Sequence, residues 1–455
     1  MKKLQALLEK SNASDFDRVR VRTADGLDLE GVLMPRIDAG DTGCLILKLG
    51  NGYNTGISAD SIKKIDRLAG SERKGIASKG KPAERKTEQC GTAKERNLAR
   101  VAMIATGGTI ASVVEYATGG VIGQLAPEDI AKAAHGLSSR AGITFHSPFR
   151  IMSEDMTHKE WQKISEIAAK EMAKEDVRGI IVTHGTDTLH FTSAALSFML
   201  NEFSKPIAFV GAQRSPDRGS FDGVLNLECA SIYATSDIGE KAVVMHGTSS
   251  DDYCIASRGT TVRKMHSTRR DAFRPISEPA LAKIWPDGKI ERTNGKIRPL
   301  AHKPDAKAQL DFESRIAIVK AYPSASAELV DYYVGKGYRG IILEATAMGH
   351  VPTVCVDPAD SWIAHVKSAV DSGVYVGVTG QCVYGEVNPY VYTNLRRLAS
   401  TGAHYLDDML TETAYVKLGW ALARSKGTWE TRKAMSENIA GEYSRRHQYF
   451  DSFML

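Results

Sequence analysis

Cysteine is scarce in this 455-residue sequence: there are six, Cys44, Cys90, Cys229, Cys254, Cys355 and Cys382, with no CxxC pair among them. That spacing gives neither a disulfide framework nor a zinc signature, so no metal site is expected and a reduced, cytoplasmic setting fits best. Long apolar runs are also missing. No stretch approaches the roughly 18 apolar residues of a membrane span. The opening MKKLQALLEKSNASDFDR starts on paired lysines but has no apolar core of signal-peptide length. Charge of one sign is not in large excess either. A net charge of +5 permits contact with an acidic partner such as a nucleic acid without arguing for one. What remains, 42% hydrophobic and 25% charged residues over a length suited to two to four domains, is ordinary for a soluble enzyme.

Three kinds of pattern follow one another along the chain. Residues 1–70 read as a small β-barrel module. Asp17 to Arg22 alternates polar and apolar residues, Asp25-Gly26 is a hairpin signal, and Leu27 to Met34, Cys44 to Leu49 and Tyr53 to Ile57 continue the strands. Residues 71–98 are polar and basic and read as a flexible linker, a solvated tether rather than a nucleic-acid arm. After it, short apolar runs at Arg100 to Ala105, Arg178 to Thr183, Pro206 to Gly211 and Lys241 to His246 alternate with helical stretches such as Lys159 to Ala173 and Leu189 to Asn201. Short buried strands alternating with helices predict a parallel α/β sheet over 99–300. A second such series, starting at Arg315, Gly340 and Val374, predicts another α/β lobe over 312–440, with 441–455 as a tail.

Three segments carry chemistry. Thr106-Gly107-Gly108-Thr109-Ile110 directly follows a predicted strand, where ligands collect in parallel sheets, and its glycines let backbone approach a ligand closely. It has neither GxGxxG spacing nor a following GK[ST], which excludes a dinucleotide or P-loop reading there. Taken alone it is also a plain strand-to-loop turn. His184-Gly185-Thr186-Asp187-Thr188 again lies past a strand and opens a helix. Thr186 and Asp187 set a hydroxyl beside a carboxylate near helix N–H donors, and the same pair also suits a helix cap. The third segment is Val262 to Thr268, in a polar loop region. Lys264, if held beside Thr186 and Asp187, could lower the hydroxyl's pKa and shuttle its proton; alone, it is a surface charge.

Together these segments resemble the type I/II L-asparaginase family. That family has one threonine in a TGGTI strand-loop, a Thr-Asp pair in HGTDT and a distant lysine, here Thr109, Thr186, Asp187 and Lys264 over residues 99 to 440. The resemblance implies a two-lobed asparaginase-like fold with parallel sheets. It implies Thr109 as nucleophile on a side-chain amide, with loss of ammonia and hydrolysis of an acyl-enzyme. Thr186, Asp187 and Lys264 become the proton-handling and water-positioning group, although two-triad sites of this kind leave the first attack open between the threonines. By the same resemblance Tyr116 closes on the substrate, Ser153 meets its α-carboxylate and Asp187 its α-amino group.

The N-terminal module and the segments Gly31 to Arg36, Leu47 to Ile57, Val210 to Arg218, Val262 to Phe273 and Asp408 to Leu422 look like one branch of this family, the D subunits (GatD) of the archaeal glutamyl-tRNA(Gln) amidotransferases. Ser257 departs from the histidine expected before Arg258-Gly259-Thr260. Asp408 to Leu422 reads as an amphipathic or plain core-facing helix. The branch implies glutamine (or asparagine) as amide donor and a partner, the E subunit of the amidotransferase, that binds Glu-tRNA(Gln) and uses ATP and magnesium. It implies a symmetric heterotetramer of two D and two E subunits, and no cofactor in this chain. The alternative is a free L-asparaginase or glutaminase with an accessory domain.

Overall fold

The computed structural model describes residues 2–15, 17–34, 43–50, 54–68, 98–114, 121–123, 140–216 and 220–444. The linker reading at 71–98 lies, up to residue 97, outside them. In the N-terminal module, β1 (Arg18–Thr23), β2 (Asp28–Met34), β3 (Cys44–Leu49), β4 (Asn54–Ser58) and β5 (Ile62–Arg67) form one antiparallel sheet in the order β4-β3-β2-β1-β5. The alternation read in β1 turns Val19 and Val21 into a small core of their own and leaves the arginines outward. Asp25-Gly26 sits in the β1–β2 connection, where Gly26 has a positive φ of 91°. Among the described residues no ladder joins β4 to β5, so the module is a five-stranded sheet and its closure into a barrel is not seen. The opening residues of this module are helical and not part of its β pattern: they form helix α1 (Lys2–Ser11), whose Leu4 enters that core.

The first lobe holds an eight-stranded sheet in the order β17-β16-β13-β12-β11-β10-β6-β9. Its parallel part is β6 (Ala99–Ala105), β9 (Ala141–His146), β10 (Val177–Thr183), β11 (Ile207–Val210) and β12 (Lys241–His246). Strands β13 (Cys254–Arg258), β16 (Ala282–Ile284) and β17 (Ile290–Arg292) continue it antiparallel. Hairpins β7 (Ser112–Val114) with β8 (Val121–Gly123), and β14 (Val262–Lys264) with β15 (Phe273–Pro275), stand apart from it. Helices α2 (His158–Met172), α3 (Leu189–Met199) and α4 (Gly223–Ala234) cover the sheet. At α2 the sequence supplies its own start, a capping box from Thr157 and Glu160.

The second lobe is a four-stranded, all-parallel sheet of β18 (Ile316–Lys320), β19 (Gly340–Ala345), β20 (Tyr375–Gly380) and β21 (His404–Tyr405). Helices α5 (Glu328–Gly335), α6 (Ile363–Asp371) and α7 (Thr393–Ala399) pack on it around a second core. Helix α8 (Thr411–Leu422) lies between α3 of the first lobe and β18–β20 of the second. Ten of its 12 residues are buried, so the core-facing reading of Asp408 to Leu422 holds and the amphipathic one does not. After α9 (Thr428–Ser436), residues 441–444 run against both lobes: Glu442 pairs with Lys417 of α8, and the Ser444 hydroxyl donates to Ser277 O.

Candidate active site

In chain order the parallel strands of the first lobe are β6, β9, β10, β11 and β12, and in space they run 2-1-3-4-5. The first crossover therefore goes to one side of β6 and the next to the other. Ligands of open α/β sheets bind at such a switch point, outside the carboxyl ends of the strands. Thr106 to Thr109 leaves β6 there and His184 to Thr188 leaves β10, so the fold brings both motifs to one crevice.

Glycine allows the loops to touch. Gly107 and Gly108 have φ of 110° and 75°, a region that costs any side chain strain. A Cβ on Gly108 would lie 2.3 Å from Gly185 Cα, and one on Gly185 would lie 2.7 Å from the Ser153 side chain. Backbone bonds fasten the stack: Thr106 N donates to Thr183 O at 3.1 Å and Gly108 N to Ile151 O at 3.2 Å. Ser153, only 2% exposed, begins a short 3-10 turn, and its carbonyl accepts from the Thr188 hydroxyl at 2.7 Å. Thr188 is the N-cap of α3, yet its hydroxyl goes to Ser153 and caps nothing. Thr186 and Asp187 likewise turn to side chains elsewhere.

Those side chains come from Lys264 and Gln213. Lys264 Nζ donates to Thr186 Oγ1 at 2.8 Å and to Asp187 Oδ1 at 2.7 Å. The lysine stands at the end of β14, on a hairpin strand instead of the polar loop expected for it, and its side chain is 11% exposed. Thr186 Oγ1 in turn donates to Gln213 Oε1 at 3.3 Å. Asp187 stays open to solvent, and Thr109, next to Gly108, is half-buried in a 3-10 turn.

Two buried histidines frame the pair. His184 has Nδ1 2.7 Å from Gly185 O and Nε2 2.8 Å from Thr192 Oγ1, which itself accepts from the Trp161 indole N–H at 3.0 Å. A ring facing a carbonyl through Nδ1 carries its proton there. Burial pushes the His184 pKa down to about 4, so the ring is neutral at pH 7 and fixes the Gly185 carbonyl. Burial first, and then the cations Arg263 and Lys264, hold His190 at about 3. Arg263, beside Lys264, is drawn off by Glu412 of α8 at 3.0 Å.

The structure thus gathers Thr186, Asp187 and Lys264 into one hydrogen-bonded group, with Ser153 and the Gly108–Thr109 turn against the same loop. Tyr116 lies outside the described residues. Sequence reasoning passed over His184 as a positioning group and met Gln213 only as part of the Val210 to Arg218 likeness, with no role. Gln213 had a signal, because it follows the predicted strand Pro206 to Gly211 and so lies at the same strand edge as the other two motifs. Ser257 is buried on β13, and its hydroxyl has no hydrogen-bond partner among the described residues.

A 2-1-3-4-5 lobe with this Thr-Asp-Lys group at its switch point, followed by an all-parallel lobe, defines an asparaginase-type protein. The family models agree: "Asparaginase, N-terminal" matches residues 100–298, "Glutaminase/Asparaginase C-terminal domain" 315–435 and "GatD N-terminal domain" 13–68. A solved thermostable L-asparaginase from Thermococcus kodakarensis superposes with a TM-score of 0.66 at 26% identity, covering 76% of this chain and 100% of that one. The D subunit of a glutamyl-tRNA(Gln) amidotransferase from Thermococcus kodakarensis is 42% identical over 100% of this chain and 99% of its own length. Its counterpart from Methanopyrus kandleri is 39% identical over 96% of this chain and 93% of its own. The chain belongs to the family of glutamyl-tRNA(Gln) amidotransferase D subunits.

Proposed function

We propose that this chain is the amide-hydrolysing subunit of a tRNA-dependent amidotransferase, releasing ammonia from glutamine for a partner that converts Glu-tRNA(Gln) to Gln-tRNA(Gln). The observation that carries it is the Lys264 ammonium set 2.8 Å from the Thr186 hydroxyl and 2.7 Å from the Asp187 carboxylate, at a crevice whose glycines leave room for backbone approach. In this reading Thr109 attacks the side-chain amide carbon and ammonia leaves. The Thr186–Asp187–Lys264 group then handles the proton and positions the water that hydrolyses the acyl-enzyme. Ser153 and Asp187 take the substrate's α-carboxylate and α-amino group. ATP and magnesium are assigned to the partner, the E subunit, in a cytoplasmic assembly of two D and two E subunits. Among the described residues no helix is long and apolar enough to cross a membrane.

The experiment is ammonia release from glutamine by the purified chain, alone and then with the E subunit and Glu-tRNA(Gln). Turnover of glutamine that rises with partner and tRNA is expected. Fast turnover of asparagine by the chain alone, indifferent to both, would make it a free asparaginase with an accessory module instead.

A further inference from the structure

We propose that Gln213 is a positioning residue for the reaction: its carbonyl takes the Thr186 proton and so decides which lone pair of that hydroxyl faces the crevice. The proposal rests on the reading of Thr186 as the proton-handling hydroxyl. A threonine hydroxyl has one proton and two lone pairs. Lys264 Nζ occupies one lone pair from 2.8 Å, and Gln213 Oε1 accepts the proton at 3.3 Å. One lone pair is left over, free to accept from an incoming water or from the amide nitrogen of the substrate. Without an acceptor at Gln213 the proton cannot turn to the ammonium, which has no lone pair, and swings into the crevice. There it competes with the group Thr186 is meant to receive.

The surroundings hold this arrangement from both sides. The Thr186 methyl lies against Gly211, where an added Cβ would come within 2.9 Å of Thr186 Cγ2 and 2.8 Å of His184 O. That contact pins χ1 of a β-branched side chain and with it the hydroxyl. The Gln213 loop is held through its backbone: Asp222 accepts from Gln213 N and Arg214 N, each at 3.0 Å, and Asn226 Nδ2 donates to Gly211 O at 3.0 Å. The Gln213 side chain itself is not needed for any of this. Its Nε2 is buried with no hydrogen-bond partner among the described residues, so the polar work of the amide goes into Thr186 alone.

The two functions of the amide, acceptor and bulk, separate in two variants of the full-length protein assayed for ammonia release from glutamine. Gln213→Met keeps the bulk and removes the acceptor. It should lower kcat about 10-fold, the upper end for one hydrogen bond, with KM within about twofold of wild type. Its melting temperature should not fall, because an unpaired buried amide is removed with it. Gln213→Glu keeps an acceptor oxygen and should retain kcat within about threefold. The proposal is overturned if Gln213→Met keeps its kcat, if both variants lose alike, or if the loss lies in KM or tracks a lower melting temperature. Thr186→Val is the control. Full activity there removes the underlying reading of the site, whereas an inactive Thr186→Val beside an unaffected Gln213→Met removes only the role of Gln213.

Discussion

Lys264→Met separates a catalytic charge from a structural one, because the site geometry sets the two costs far apart. Methionine keeps the aliphatic stem of the lysine and deletes the ammonium. At the 2.7 Å between Lys264 Nζ and Asp187 Oδ1, the bare attraction at an effective dielectric of ~20 is ~6 kcal/mol. Asp187, however, is 64% exposed, and pairs open to water net only about 0–1 kcal/mol once screening and side-chain entropy are counted. Folding stability should therefore fall by no more than about 1 kcal/mol, a shift of a few degrees in Tm. Losing a positioned proton-transfer partner, by contrast, costs about 10²–10⁴ in rate, or ~3–5 kcal/mol of barrier. Steady-state ammonia release from glutamine and a calorimetric melt on the same preparation measure both. The expected pattern is kcat down at least about 100-fold with KM nearly unchanged and a melt close to wild type. A variant that turns over within tenfold of wild type, or loses only KM, would refute the reasoning and leave Lys264 a partner of a surface carboxylate.

Thr109→Val and Thr186→Val should each reduce ammonia release by at least about 10²-fold while the chain stays folded, since the glycines that join the loops are untouched; circular dichroism beside the activity assay checks both. Hydrogen bonding to His146, with Lys174 adding to it, holds the Glu171 carboxyl at about 2, below its ordinary 4.5. A depressed carboxylate stabilises the fold above its unfolded pKa, so its contribution is complete above pH 4.5 and disappears as pH falls toward about 2. Glu171→Gln should accordingly flatten the loss of Tm over that window and lower Tm near pH 7. Lys417 and Glu442, 2.6 Å apart and both without exposure, form a buried ion pair. Lys417→Met strands the Glu442 charge and should cost ~3–5 kcal/mol in denaturant melts, much of it recovered by adding Glu442→Gln. Deleting residues 1–90 should leave the two lobes folded and glutamine hydrolysis intact but weaken transamidation with the E subunit. A flatter salt dependence after deletion would assign the module to tRNA, and an unchanged slope with weaker association to the partner. A truncated chain equal to full length in both gives the module neither role.

Much of this was legible because period and position carry physical meaning. The strands at Ala99–Ala105, Val177–Thr183 and Lys241–His246 are continuous apolar runs because both faces of a parallel sheet are covered, and they fall within a residue of where the pattern put them. The rule that ligands gather at the carboxyl ends of such strands drew attention to the loops after Ala105 and Thr183, while the choice of Thr109 and Thr186 within them rested on family likeness. Lys264 could be placed only by family likeness: 77 residues separate it from Asp187, and no periodicity reports a contact made by a hairpin folding back over the sheet edge.

The features that escaped the sequence share one cause: burial by an element distant in the chain. Helix α8 has no polar face because α3 and the second sheet both cover it, which the core-facing reading of Asp408 to Leu422 allowed but its apolar pattern alone did not decide. Lys417 on that helix would pass for a solvated charge, yet its ammonium reaches Glu442, 25 positions onward, as well as the carbonyls of Met435 and Glu437. The same logic applies at the site. A glutamine in a loop is ordinarily a surface residue, and it becomes a partner of Thr186 only because Gly211 lets the β11 loop approach the β10 loop within van der Waals reach. The identity of that glycine therefore decides whether Gln213 has a function. A Gly211→Ala variant should lose kcat as Gln213→Met does, by pushing Thr186 away from its acceptor, but with a lower melting temperature besides, because the new Cβ would also come within 2.8 Å of the His184 carbonyl.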